Sequence, residues 1–142
     1  MRKELESAWW LLRIGFGVVP ALAGLDKIVR ANLLADWPAY ISPVATAVLP
    51  ISGDVFMQII GVIELIVGIA ILTVATRLGA WVAAAWLLMI AVNLISTGRY
   101  FDVAVRDVVM AMGAYTLARL TEVREGAPAA ARRVSIADPA AV

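Results

Sequence analysis

Apolar residues are grouped in four long stretches, which shorter polar or proline-rich segments separate. The most apolar stretch, over residues 54–77, is about as long as an α-helix must be to cross the hydrocarbon core of a bilayer. The other three stretches are interrupted mainly by small residues and a few charges. The pattern therefore predicts an all-α fold, a polytopic membrane four-helix bundle, with helices over about 8–29, 55–76, 79–97 and 104–120.

Two segments differ from these stretches in composition. Residues 30–53 contain three prolines and are too interrupted to cross a membrane. We expect a short Pro-rich cap at the membrane interface between the first two helices, either amphipathic or re-entrant, with a plain interfacial loop as the alternative. After residue 121 the chain becomes rich in Ala, Pro and Arg, so we predict a transmembrane domain over 1–121 and a solvated tail over 122–142.

The basic residues are distributed unevenly between the two predicted sides of the membrane. One side has Arg30 and Arg99, and the other has the following: Arg2, Lys3, Arg77, Arg119, Arg124, Arg132 and Arg133. Because basic loops stay on the cytoplasmic side, the distribution predicts that both termini are cytoplasmic. The expected location is the plasma (inner) membrane, with several passes through it.

Composition excludes several classes of function. Of the 142 residues, 63% are hydrophobic and the mean hydropathy is +0.90, which is typical of an integral membrane protein. The net charge of +1 gives no global field for nucleic acid. The chain has no histidine and no cysteine, the usual ligands of zinc, haem and iron–sulfur clusters. We therefore expect no metal site, no cofactor bound by this chain and no disulfide.

Glu64 is the residue that most constrains the arrangement of the helices. A carboxylate near the middle of a membrane helix costs about 2.5–3.5 kcal/mol unless protein, a partner charge or water surrounds it. At 100° per residue, Glu64 shares one face with Gly61 and Gly68. In the first helix, five residues form a second stripe: Arg13, Gly17, Pro20, Gly24 and Lys27. We expect the glycines Gly17, Gly24, Gly61 and Gly68 to let helices pack closely.

The charged and polar residues inside the predicted helices form a candidate ligand-binding or structural polar core: Arg13, Asp26, Lys27, Glu64, Asn93, Arg106 and Asp107. We expect Arg13 to pair with Glu64, and Lys27 or Asp26 to pair with Arg106 and Asp107 at the outer mouth. One interpretation is that such pairs only fix helix register. The other is a polar pocket with Trp37 and Tyr40 at its rim, which binds the headgroup of a quinone or a lipid. For Asn93, a hydrogen bond to a neighbouring helix is favoured over a ligand contact.

Three segments resemble the DoxX-like family of small four-helix membrane proteins: LRIGFGVVPALAGLDKI, GVIELIVGIAIL and RDVVMAMGAYTLARL, with an Asn-containing helix between the last two. The resemblance covers roughly residues 11–120. It carries over residue by residue to these positions: Arg13, Gly17, Gly24, Lys27, Glu64, Gly68, Arg106 and Asp107. It implies an association with membrane subunits of thiosulfate:quinone oxidoreductase and terminal quinol oxidase systems, and with redox-stress membrane complexes.

Two functions follow from these observations as hypotheses. The first is a small membrane subunit that docks onto or anchors a larger respiratory or redox complex, its charged core contacting quinone or a lipid headgroup. The alternative is a stand-alone membrane protein that binds or acts on a quinone or lipid through Glu64 and the neighbouring cations. We favour a non-catalytic subunit over an enzyme and assign no catalytic residue. The expected partners are membrane lipid and a larger membrane complex or further copies of the chain, but not nucleic acid.

Overall fold

The structure, a computed structural model, describes residues 2–48 and 50–137, with side chains up to Gly126. Within these ranges the chain is helical and contains no strand. Five α-helices and one short 3₁₀ helix follow one another: α1 (Lys3–Val29), the 3₁₀ helix (Trp37–Tyr40), α2 (Pro43–Val48), α3 (Gly53–Leu72), α4 (Thr76–Ser96) and α5 (Phe101–Ala137).

Three of these helices, α1, α3 and α4, are long and apolar enough to cross a membrane. Their outer faces carry large apolar side chains that no other part of the described chain covers. Ile66 on α3 is 61% exposed, for example, and Val92 on α4 is 67% exposed. Because water would not tolerate so much apolar surface on a single chain, the protein is embedded in a membrane.

The helix boundaries differ from the predicted ones at both ends of the second and third long helices. α3 ends at Leu72, where the Thr73 hydroxyl donates to the Ile69 carbonyl. α4 begins at Thr76, whose hydroxyl donates to the Ile71 carbonyl at 2.8 Å. Apolar composition continues through this turn, and hydrophobic pattern alone therefore does not reveal it.

The last helix is longer than the sequence predicts. α5 begins at Phe101, after Gly98 and Tyr100 have turned the chain with φ of 68° and 59°, and it continues to Ala137. At 1.5 Å per residue, α5 extends about 25 Å beyond Leu120, where the fourth helix was predicted to end. The end of the predicted tail, residues 138–142, lies outside the described residues.

The helices associate mainly as two close pairs, α1 with α3 and α4 with α5. In the first pair, Gly24 of α1 lies against Gly61 of α3, and Gly17 of α1 lies against Gly68 of α3. A Cβ atom added at Gly68 would be 2.6 Å from the Gly17 carbonyl oxygen, and one added at Gly61 would be 2.6 Å from the Gly24 carbonyl oxygen. Only glycine permits backbones to approach this closely.

Alanine has the same role in the second pair. Ala80, Ala83 and Ala84 of α4 are buried against small residues of α5. Among the described side chains of α5, the buried alanines are Ala104, Ala111, Ala114 and Ala118. Near the chain terminus, the buried Trp9 indole of α1 donates to the Thr121 hydroxyl of α5 at 2.8 Å and ties the two pairs together.

Candidate functional site

The centre of the candidate site is an ion pair between α1 and α3. The Lys27 ammonium lies 2.5 Å from a carboxylate oxygen of Glu64, and the two side chains are only 5% and 10% exposed. The contact between Gly24 and Gly61 brings the two antiparallel helices close enough for this pair to form, because Lys27 lies against Gly61 and Glu64 lies against Gly24. A charge-assisted hydrogen bond removes most of the cost of placing both charges inside the protein.

The predicted pairing of Arg13 with Glu64 is wrong. Arg13 instead donates to three carbonyl oxygens at the end of α3, those of Ile71 at 2.9 Å, Leu72 at 2.8 Å and Thr73 at 2.5 Å. These carbonyls have no partner within their own helix, and a cation is favourable at a helix C-terminus. Arg13 therefore acts as a cap on α3, far from Glu64.

Asp26 organises the segment that follows α1, which here is called the cap segment (residues 30–52). Its carboxylate accepts hydrogen bonds from the backbone N–H groups of Leu33 at 3.0 Å and Leu34 at 3.2 Å, and from the Trp37 indole at 2.7 Å. The chain can fold back toward Asp26 because Arg30 adopts a left-handed conformation, with φ of 54°. The predicted pairing of Asp26 or Lys27 with Arg106 and Asp107 is therefore wrong as well.

Trp37 covers the ion pair from the side of the cap segment. The Lys27 Nζ atom lies 3.7 Å from the centroid of the Trp37 ring, within the range of a cation–π interaction. Beside the ring is an open depression of about 190 Å³ that reaches Lys27. Its lining residues are Lys27, Arg30, Asn32, Trp37, Asp54 and Met57, among others.

Tyr40, the other residue predicted at the rim, does not line this depression. Its ring packs on Tyr100 with the centroids 4.7 Å apart, and its carbonyl oxygen accepts a hydrogen bond from the Asn93 amide at 2.9 Å. Asn93 thus holds the cap segment to α4. This contact agrees with the structural interpretation of Asn93 that the sequence favours.

The two charged residues at the start of α5 have different environments. Asp107 is buried, at 7% exposed, and within the described residues it has neither an ion pair nor a hydrogen bond from another side chain. Arg106, the residue before it, is exposed on the outside of α5 and is therefore not part of the buried core.

The buried ionisable groups among the described residues are one amine and three carboxyls: Lys27, Asp26, Glu64 and Asp107. Asp26 accepts hydrogen bonds from three donors and Glu64 accepts one from Lys27, whereas Asp107 accepts none from the described residues. The Lys27 ammonium has three N–H groups, of which the described contacts use one for Glu64. The arrangement can therefore hold a polar ligand by hydrogen bonds. Within the described ranges no group of three or more His, Cys, Asp or Glu side chains could hold a metal ion.

Sequence reasoning missed two features of the interior. The Trp86 indole N–H is buried and has no hydrogen-bond partner among the described residues. Near the start of α1, Arg124 stacks 3.8 Å over the Trp9 ring and pairs with Glu6 at 2.8 Å. A tryptophan in a membrane helix is usually interpreted as interfacial, so neither feature has a signal in the apolar pattern.

Comparison with known proteins finds no match for the chain among protein-family models, curated proteins or solved structures. The resemblance to the DoxX-like family therefore stays a prediction that rests on the residues given above.

Proposed function

We propose that the protein is a small DoxX-like membrane subunit that docks onto or anchors a larger respiratory or redox complex in the plasma (inner) membrane. In this proposal α5 supplies the fourth crossing, over residues 101–120, and completes a four-helix bundle. Both termini are then cytoplasmic and the cap segment lies on the outer side. The buried small-residue face of α5, which contains Asp107 and Ala111, supports this, because the charge is turned away from lipid.

The observation that carries the docking proposal is the exposed Arg106. It lies five residues inside α5, about 8 Å along the helix from Phe101. No described residue forms an ion pair with it, and Asp102, one turn earlier, is also exposed and does not pair with it. An arginine at the centre of a membrane helix costs about 2.5–3.5 kcal/mol, and the cost falls towards the helix end, where the headgroup layer or a partner carboxylate compensates the charge. A partner subunit that contacts this face would supply the carboxylate.

The polar interior supports a contact with a headgroup. Lys27 has unused N–H groups, lies beside an open depression and is held in place by Glu64. A quinone carbonyl or a lipid headgroup could accept a hydrogen bond there. The same geometry also serves the alternative, a stand-alone membrane protein that binds a quinone or lipid through this site.

Gentle extraction distinguishes the two functions. The protein is purified in mild detergent, and the retained proteins are identified by mass spectrometry and their stoichiometry by native mass measurement. Docking through α5 is supported if the wild type purifies in a larger complex, Arg106→Gln loses the partner and Arg99→Gln keeps it. Arg99 serves as the control because it is exposed in the turn before that helix. A wild-type protein that contains only its own copies contradicts the proposal and favours the stand-alone alternative.

A further inference from the structure

Asp26 holds the cap segment over the ion pair, and Asn93 holds the segment to α4 further along the chain, at Tyr40. Asp26 accepts three hydrogen bonds from this segment, and one of them comes from the ring that covers Lys27. The connection therefore runs from the Asp26 carboxylate through the Trp37 indole to the Lys27 ammonium, at 2.7 Å and 3.7 Å. Displacement of Trp37 would expose the ammonium to the depression beside it.

The remaining contacts at this edge are weak. Arg30 and Asp54 form an ion pair across the depression at 3.5 Å, and their side chains are 52% and 55% exposed. Such a pair contributes about 0–1 kcal/mol and separates easily. Leu33, next to the residues that Asp26 holds, is 84% exposed and in a membrane would face the lipid or the headgroup layer. Outward movement of residues 30–37 therefore breaks only the Asp26 hydrogen bonds and these weak contacts, while the Asn93–Tyr40 hydrogen bond keeps the rest of the segment attached to α4.

The charges around the depression indicate which ligand fits. Lys27 and Arg30 are balanced by Glu64 and Asp54, so an anionic headgroup meets no net positive field there. A neutral carbonyl oxygen can accept a free N–H of Lys27 without bringing a further charge into the protein. The Trp37 ring offers a flat apolar surface on which a second ring can stack.

We propose that Trp37 is a lid which Asp26 holds shut over the Lys27–Glu64 pair, and that the site beneath it takes a neutral, carbonyl-bearing ring headgroup. This inference rests on the headgroup contact in the proposed function and adds the ligand class and the element that controls access. It does not depend on whether the protein docks onto a larger complex.

Lysine acylation tests the lid, because the chain has only two lysines, Lys3 and Lys27. The purified protein in phosphatidylcholine nanodiscs is treated with an amine-reactive ester, and the rates at both lysines are measured by mass spectrometry. Lys3 is exposed and is the internal reference. We expect Lys27 to react at least tenfold more slowly than Lys3 in the wild type, and the difference to shrink about tenfold in Asp26→Asn and Trp37→Ala.

Two further variants keep this test decisive. Asp36→Asn changes an exposed carboxylate of the same segment whose side chain makes no described contact, and it should leave the Lys27 rate unchanged. Trp37→Phe keeps a ring but removes the indole donor, so it should raise the rate less than Trp37→Ala. A wild-type Lys27 that reacts as fast as Lys3, or an Asp26→Asn rate equal to that of Asp36→Asn, overturns the lid.

Protection from acylation tests the ligand class. In Asp26→Asn, decylubiquinone should slow the reaction of Lys27 severalfold, whereas a ten-carbon alcohol without the ring should not. Replacing part of the phosphatidylcholine with phosphatidylglycerol should have no effect. Protection by phosphatidylglycerol alone overturns the assignment in favour of an anionic headgroup, and protection by neither probe overturns the binding site. Neither result bears on the docking proposal, which the purification experiment tests. The docking proposal and the ligand assignment can therefore fail independently.

Discussion

Removal of one charge from the Lys27–Glu64 pair should destabilise the protein strongly. In Lys27→Met the carboxylate of Glu64 keeps its buried position, with 10% of the side chain exposed, and loses the ammonium 2.5 Å away. Breaking a buried pair in this way costs about 3–5 kcal/mol, because one charge stays behind without compensation. Replacing both residues, as Lys27→Met with Glu64→Leu, should recover most of that loss, since no charge is then left inside.

The measurement is the free energy of unfolding in mixed detergent micelles, followed by far-UV circular dichroism. The two single variants and the double variant form a cycle whose coupling energy we expect to be about 3 kcal/mol. Arg30→Met is the matched control, because the Arg30–Asp54 pair is half-exposed and should cost no more than about 1 kcal/mol. If Lys27→Met costs no more than Arg30→Met, or if the two single effects simply add, Lys27 and Glu64 are not a buried pair and the reasoning is refuted.

Three further predictions concern the contacts around the site and use the same unfolding measurement. Gly68→Ala should destabilise the protein by about 1–3 kcal/mol, because its new Cβ would meet backbone atoms of α1. Gly15→Ala is the control: a Cβ there has nothing within 4 Å, so the change should be neutral or stabilising by up to about 1 kcal/mol. Equal effects of the two variants would contradict the close approach of α1 and α3. Arg13→Gln should lower the free energy of unfolding by about 1–3 kcal/mol, because carbonyl groups at the end of α3 lose their hydrogen-bond donor. A change below about 0.5 kcal/mol, the size expected of an ordinary surface substitution, would show that Arg13 does not cap α3. Trp9→Phe leaves the Thr121 hydroxyl without its donor and should lower the free energy of unfolding by about 1 kcal/mol. No change would show that the Trp9 indole does not donate to Thr121.

The sequence is informative about which helix faces turn inward. A spacing of 100° per residue places Gly61, Glu64 and Gly68 on one face, and all three are buried. The same argument places Asp107 with Ala111 on one face of the last helix, and both are buried as well. A carboxylate that faced lipid would be costly, so the helix face that carries it turns inward. This part of the site can therefore be predicted from the local pattern.

The partner of Glu64 is not determined in that way. Arg13 and Lys27 share one stripe of α1 but are fourteen residues apart, about 21 Å along the helix. Which of them reaches Glu64 depends on the axial position of α1 relative to α3. That position is set by the Gly24–Gly61 contact and by the cap segment, both of which are tertiary features. Periodicity describes one helix at a time and contains no such information.

The position of Arg106 and the role of Asp26 have the same kind of cause. Arg106 and Asp107 are adjacent, so helical periodicity turns them to neighbouring faces, and only tertiary packing decides whether Arg106 lies inside beside Asp107. Asp26 precedes the end of α1 and could have paired with any cation, but the left-handed turn at Arg30 brings backbone N–H groups to it first. The Trp37 lid follows from that turn and has no signature in the apolar pattern.

The most direct test of the account is a solid-state NMR measurement of the dipolar coupling between the Lys27 side-chain nitrogen and glutamate carboxyl carbons in lipid bilayers. Only two lysine ammonium signals are expected, and Lys27→Arg identifies which one belongs to Lys27. We expect the Lys27 signal to be strongly dephased, as in a directly hydrogen-bonded pair, and Glu64→Leu to abolish the effect. A Lys27 signal that shows no coupling to any glutamate carboxyl in the folded, membrane-embedded protein would contradict it.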